Sequence, residues 1–305
     1  MRRAATAVGS DLTATEVARE HLLAGGDAVG AVVAGFFAAA GQAPGVLFGS
    51  VGLMLAQVGG GVRAFDGRQR QPGVGLRRAR GVAEGDAIPQ AARVAAPGSV
   101  AALLVALRYG RSVGLSRVLS PGVSLARKLG CARRAEVLEA IERLGAAALA
   151  SPAIARPLLH AAGPTEGGAL CARDLETVAD IDRLAAAEGA VRRAPWAADR
   201  GEPSVLPSAE WEARAERQQG LCACDATGGV AALCYDDALS GLTVEALELV
   251  LPLDAVPVRR GMARVSPGTL LPAPTPLRIE VSEADVPTLA SVELARRAAL
   301  SVRPR

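Results

Sequence analysis

The sequence predicts an α+β protein, and three segments carry that prediction. Residues Ala28 to Ala40 are apolar on every face and small enough for close packing, the pattern of a buried central helix. Val46 to Phe65 is rich in Val, Leu and Gly, with breaks at Gly49 and Gly59-Gly60-Gly61, which suits two strands joined by a tight turn. Leu221 to Tyr235 reads as a second hairpin, turning at Thr227-Gly228-Gly229.

The elements follow in order. Thr13 and Glu16 have the spacing of a capping box, and Val17, Leu22 and Leu23 lead an amphipathic helix to a stop at Gly25-Gly26. Asp27 is placed to cap the central helix. Pro97-Gly98-Ser99 opens an apolar helix from Val100 to Arg108, and Pro121 is expected to start another that runs toward Gly130. From Ala132 to Ala187 the pattern is helical and Ala-rich, with breaks at Gly163-Pro164 and Gly167-Gly168. Arg193 to Gln219 holds both Trp residues, three Pro and many charges, and reads as an exposed connector. Val244 to Val250 is expected to be helical, Pro267 to Pro276 extended or turning, and Ala284 to Val302 a peripheral helix.

Composition excludes several functions. In 305 residues, 50% of them apolar, one continuous domain is expected. The net charge of +3 is small, and the basic residues are interspersed with acidic ones, so no nucleic-acid partner is implied. Aromatic residues are scarce, so platforms for stacking bases or sugars are not expected. Five cysteines without small-scaffold spacing argue for thiols in a reducing compartment. Met1-Arg2-Arg3 is followed by Asp11, Glu16, Arg19 and Glu20 before any apolar run, so no export signal is read. The run from Ala28 to Ala40 is too short to span a bilayer, so no membrane association is expected and the cytoplasm is the default location.

Several short strings, in order, resemble those of γ-glutamyltranspeptidases. Gly25-Gly26-Asp27-Ala28-Val29-Gly30-Ala31-Val32-Val33-Ala34 is similar to the family's G-G-N-A-V-D-A-A-V-A. Asp66-Gly67-Arg68-Gln69-Arg70-Gln71-Pro72 is similar to its D-x-R-E-x-x-P. Ala96 to Leu103, Arg108-Tyr109-Gly110 and Pro121 to Ala126 resemble V-P-G-[ST]-V-A-G-L, R-Y-G and P-A-I-x-L-A. Gly167-Gly168 with Asp174-Leu175 is similar to the string near the end of the family's large subunit. Asp225 with Gly228 to Cys234 aligns without a gap on the D-x-x-G-N-A-V-S-L-T that follows the family's nucleophile. Pro267-Gly268 through Thr275-Pro276 resembles P-G-x-x-x-L-S-S-M-x-P-T, with Leu270-Leu271 at the Ser pair.

The resemblance implies an abbreviated four-layer αββα sandwich of the Ntn-hydrolase type, with much of the family's large-subunit middle missing. It divides one domain into a tail (1–12), a large-subunit-like part (13–192), a connector (193–219), a small-subunit-like part (220–283) and a C-terminal helix (284–305).

It also carries a chemical implication. An Ntn hydrolase cuts its own chain so that a Thr, Ser or Cys becomes N-terminal, and its α-amine, with a pKa of about 8, serves as base. Counting back from Asp225 places Gln218 at the nucleophile, and an amide can neither cut the chain nor accept an acyl group. Arg68 matches the family's Arg for the substrate α-carboxylate, a role suited to a planar two-pronged donor. The Ser pair that would help it is replaced by Leu270-Leu271, and the family's Asn falls at Ala238.

Other chemistry-bearing residues have plainer readings. Cys222, Cys224 and Cys234 are placed to fill a sheet face packed by helices; Cys222 or Ser240 as a displaced nucleophile is the sharper alternative. C-x-C with no nearby His is poor ligand spacing, so no metal or other cofactor is expected. His21 and His160 have no triad-like partners, and Asp236-Asp237 reads as a solvated turn. Three functions stay open: a pseudoenzyme acting as a structural or interaction subunit, with a protein partner or a second copy of itself; a residual γ-glutamyl hydrolase or acyltransferase using Cys222; and a module binding an acidic small ligand through Arg68.

Overall fold

The computed structural model describes residues 5–58, 61–76, 81–111, 114–176, 180–184, 191–193, 218–237, 240–271, 277–281, 287–292 and 300–302. The chain opens with strand β1 (Thr6–Gly9) and helix α1 (Leu12–Leu23), where a tail was expected up to residue 12. β1 pairs antiparallel with β6 (Gln218–Cys224), a partner more than 200 residues away that no local pattern announces. The cap of α1 also differs from expectation. Asp11, not Thr13, is the N-cap: one carboxylate oxygen accepts from Ala14 N at 3.0 Å and the other from the Tyr235 hydroxyl at 3.0 Å. A tertiary hydrogen bond thus moves the helix start two residues earlier than the capping-box spacing placed it.

The central helix α2 (Ala28–Gln42) is as read from the sequence, and Asp27 caps it through Gly30 N at 2.7 Å. Every residue from Ala28 to Gly41 is buried, because α2 lies between the main sheet and an outer helix, α4 (Leu115–Lys128). Small side chains permit that approach: a Cβ on Gly41 would meet the Gly122 carbonyl oxygen at 2.2 Å, and one on Gly122 the Phe37 carbonyl oxygen at 2.2 Å. Pro121 lies inside α4 instead of starting it. The buried stripe Val118, Leu119, Gly122, Val123 and Ala126 packs along α2, and that packing outweighs the hydrogen bond the proline removes.

β2 (Val51–Gln57) and β3 (Gly61–Gly67) form the first expected hairpin, and β6 with β7 (Val230–Asp236) the second. Together with β1 and β4 (Asp180–Leu184) they make one antiparallel sheet, ordered β1-β6-β7-β2-β3-β4. The helical reading of Ala132 to Ala187 holds through α5 (Ala132–Leu144), α6 (Pro152–Ala162) and α7 (Ala172–Leu175), and fails at β4, which is recruited to the sheet edge beside β3. α3 (Ser99–Leu107) packs on β2 and β3.

A second sheet, ordered β12-β11-β10-β5, is formed by β5 (Val191–Arg193), β10 (Leu277–Val281), β11 (Pro287–Val292) and β12 (Leu300–Val302). Strands β10, β11 and β12 lie against β2, β6 and β7, on the side away from α2. The expected C-terminal helix is therefore corrected to strands: pairing of β11 with β10 and of β12 with β11 overrides the helix-forming Ala-rich composition. Likewise Val244 to Val250 is not an α-helix. β8 (Leu242–Val244) and β9 (Leu249–Leu251) pair across a short 3-10 turn, where Glu248 has a φ of 53°. Most of the expected connector lies outside the described residues; its last two, Gln218 and Gln219, belong to β6. The layers are helices, sheet and sheet; among the described residues no helix packs on the outer face of the second sheet.

Candidate functional site

One end of the main sheet collects the residues singled out from the sequence. The register sets Gln218 opposite Asp236, Tyr235 opposite Val51, and Val51 opposite Gly67, so β6 and β2 begin where β7 and β3 end. Gln218 is the first residue of β6 and 3% exposed. Its Nε2 donates to Asp236 Oδ1 at 3.0 Å, and its Oε1 has no partner among the described residues. Asp236 Oδ2 accepts from Ser50 N at 3.3 Å, and the Asp236 N–H returns a bond to the Ser50 carbonyl at 3.0 Å. Ser50 Oγ accepts from Gln69 N at 3.2 Å, and Gln69 Nε2 donates to the Phe48 carbonyl at 2.9 Å. The four side chains form a buried polar chain running from the start of β6 to the segment after β3.

Ser50, Gln69 and Asp236 were not read as parts of a site. Asp236 is 3% exposed, which corrects the reading of Asp236-Asp237 as a solvated turn. Asp237 is half-buried, and burial first, then the nearby Asp11 carboxylate, push its carboxyl up from the ordinary value. The signal in the sequence was the hairpin itself: equal strand lengths set the residue after Tyr235 beside Gln218.

Arg68 follows β3 directly. Its Nε lies 3.1 and 3.0 Å from the two Asp66 carboxylate oxygens and its Nη2 2.9 Å from Oδ2, a two-pronged pair with side-chain exposures of 12% and 5%. Leu270 bridges to Arg70, and the Leu271 N–H donates to the Gln69 carbonyl at 2.8 Å, so the Leu pair does sit beside the Arg68 segment. Leu271 is buried. Ala238 lies outside the described residues. Gln219 and Gly220 are fastened by Ser10, whose Oγ donates to Gln219 Oε1 at 2.7 Å and accepts from Gly220 N at 2.9 Å.

Cys222 is completely buried, and burial pushes its thiol up to about 12. Leu221, Ala223, Ala231 and Leu233 share the core with α2, so alternation turns Cys222, Cys224 and Cys234 to the opposite face. That face meets the second sheet, not helices as expected. Ser240 is exposed in a bend, and His160 is exposed on α6. Among the described residues no group of three His, Cys, Asp or Glu could hold a metal ion.

At the far end of the same strands Asp225 joins the second hairpin to the central helix. Its Oδ1 accepts from Thr227 N at 2.8 Å, Thr227 Oγ1 at 2.6 Å and Gly229 N at 3.0 Å, and Oδ2 from Ala28 N at 3.1 Å. The residue that set the alignment with the nucleophile motif is thus a structural brace between the tip of β6–β7 and the start of α2.

This arrangement is the fold of the Ntn hydrolases, in an abbreviated α+β form. "Structure of LmbA2991T421A" matches with a TM-score of 0.68 and 16% identity, covering 95% of this chain and 79% of that one. The cephalosporin acylase of Bacillus halodurans matches with a TM-score of 0.66 and 13% identity, over 95% of this chain and 77% of that one. The γ-glutamyltranspeptidase of Helicobacter pylori matches over 56% of this chain and 63% of that one, at 22% identity and a TM-score of 0.48. No family model matches the sequence, and no curated protein matches it. Among the described residues no helix is long and apolar enough to cross a membrane.

Proposed function

We propose that this chain is a γ-glutamyltranspeptidase-like pseudoenzyme, a structural or interaction subunit that does not transfer acyl groups. The observation that carries the reading is Gln218: the first residue of β6 presents an amide, buried and bonded to Asp236, where the family resemblance requires a hydroxyl. An amide can neither attack the preceding carbonyl nor hold an acyl group. Two further observations support it. A thiol pushed up to about 12, as at Cys222, supplies almost no thiolate at neutral pH. Arg68 is held against Asp66, and Leu271, which the resemblance aligns with the family's Ser pair, is buried and apolar. A body of this kind works by its surface, as a homo-oligomer or beside a dedicated protein partner, in the cytoplasm.

The test is γ-glutamyl anilide hydrolysis by the wild type and Gln218→Thr, with a denaturing gel and mass spectrum of each. The expected result is no release above buffer and one uncut chain of 31.0 kDa for both proteins. Restoring one group of a set that acts as a unit recovers little, because Leu270-Leu271 still lack hydroxyls. Wild-type turnover abolished by Cys222→Ala would replace this reading with a displaced nucleophile. A cut and active Gln218→Thr would show that the scaffold had kept its site apart from one side chain.

A further inference from the structure

The corner between α1 and α2 holds a buried imidazole that the proposed function does not use. His21 lies in the last turn of α1, is 6% exposed, and its Nε2 has no hydrogen-bond partner among the described residues. Its ring fills a notch left by two glycines. A Cβ on Gly26 would fall 2.1 Å from His21 Cδ2, and one on Gly30 would fall 2.6 Å from His21 Nε2. The Gly26 N–H donates to the His21 carbonyl at 2.9 Å, so ring and backbone of one residue hold the same corner. The charged groups facing the ring are Arg117 of α4, whose Nη2 donates to the Ala24 carbonyl at 2.6 Å, and Asp27 at the start of α2. Asp27 already accepts the Gly30 and Arg111 N–H groups.

We propose that His21 is a pH-sensitive latch: the neutral imidazole holds α1 against the first turn of α2, and protonation loosens that corner. A proton on Nε2 would enter a space that the glycine notch closes to water, beside a guanidinium from α4. Burial first, and Arg117 second, hold the imidazole below its ordinary value, with Asp27 opposing them more weakly. The sign follows from linkage. With the folded value lowered, the unfolded chain binds the proton more readily, so the contribution of the neutral ring is complete above about pH 6.5 and is lost as pH falls below it. The first turn of α2, which the ring packs against, also walls a cavity of about 400 Å³ shared with Gln57, Arg111, Asp225 and Thr227.

The chain has two histidines, so His160→Gln leaves a single imidazole to follow by NMR in the full-length protein. The titration midpoint of His21 is expected below about 6.5, with the amide protection factors of Gly26 and Gly30 falling across the same pH range. Arg117→Ala removes a facing cation and should raise the midpoint, a measurement that stands even where His21→Leu fails to fold. Where His21→Leu folds, the fall in protection disappears. A midpoint at or above 6.5, or protection at Gly26 and Gly30 that does not follow the titration, would overturn the latch.

Discussion

Gln218 does more than lack a hydroxyl. Its Nε2 is a donor to the buried Asp236 carboxylate, whose other oxygen is held by Ser50 N. A hydrogen bond to a buried charged group contributes about 1.5–3 kcal/mol, so the amide stabilises this end of the sheet. Gln218→Glu sets two carboxylates side by side, which disfavours the charged form of the introduced Glu in the folded state. Its folded value is then raised above the unfolded value of about 4.3, so the variant is close to wild type below that pH. Stability then falls as pH rises through it. Urea unfolding at acid and neutral pH measures this; equal losses at both would show that the two side chains do not meet. Cys222 gives a second prediction at this scale. Iodoacetamide at mildly alkaline pH should label the half-buried Cys131 and Cys171 in the native protein and leave Cys222 unmodified until unfolding, as read by peptide mass spectrometry.

Among the elements, α2 explains most of the architecture. A helix apolar on all sides needs partners on all sides, and the sheet, α1, α3 and α4 supply them. Its contact with α4 is made backbone to backbone at Gly41 and Gly122. Gly122→Ala should therefore destabilise the protein by about 1–3 kcal/mol, although alanine favours helix, because each backbone must yield to the added methyl. Chemical denaturation decides it, and a stabilised variant would mean that α4 sits farther from α2. The braces at the two ends of α2 have the same logic. Asp225 fixes its start to the second hairpin, while Arg134 Nη1 donates to the Gly41 and Gln42 carbonyls at 3.1 and 3.0 Å at its end.

For the whole molecule, one contiguous core runs from β1 to β9 and joins segments that the family resemblance assigns to two subunits. β6 and β7 sit between β1 and β2 in the sheet, so the small-subunit-like part is paired on one side with the expected tail and on the other with the large-subunit-like part. Such interleaving ties the two parts together by sheet hydrogen bonds. The interaction role predicts a species larger than 31.0 kDa by light scattering, or a stoichiometric partner recovered with the purified chain. A monomer that recovers nothing would remove the interaction reading.

The sequence by itself determined the central helix and both hairpins. Each rests on short-range signals: all-round apolarity, alternation broken by glycine, and motif spacing. What only the tertiary structure decided are the features whose partners are distant in the chain. β1 and β12 are strands because other strands pair with them, Asp11 caps α1 because Tyr235 holds its second oxygen, and Pro121 stays helical because α4 is pressed on α2. The polar chain through Asp236, Ser50 and Gln69 belongs to the same class. Local pattern reports which groups a residue can satisfy within a few positions, but a buried carboxylate is satisfied by whichever donors the fold brings to it.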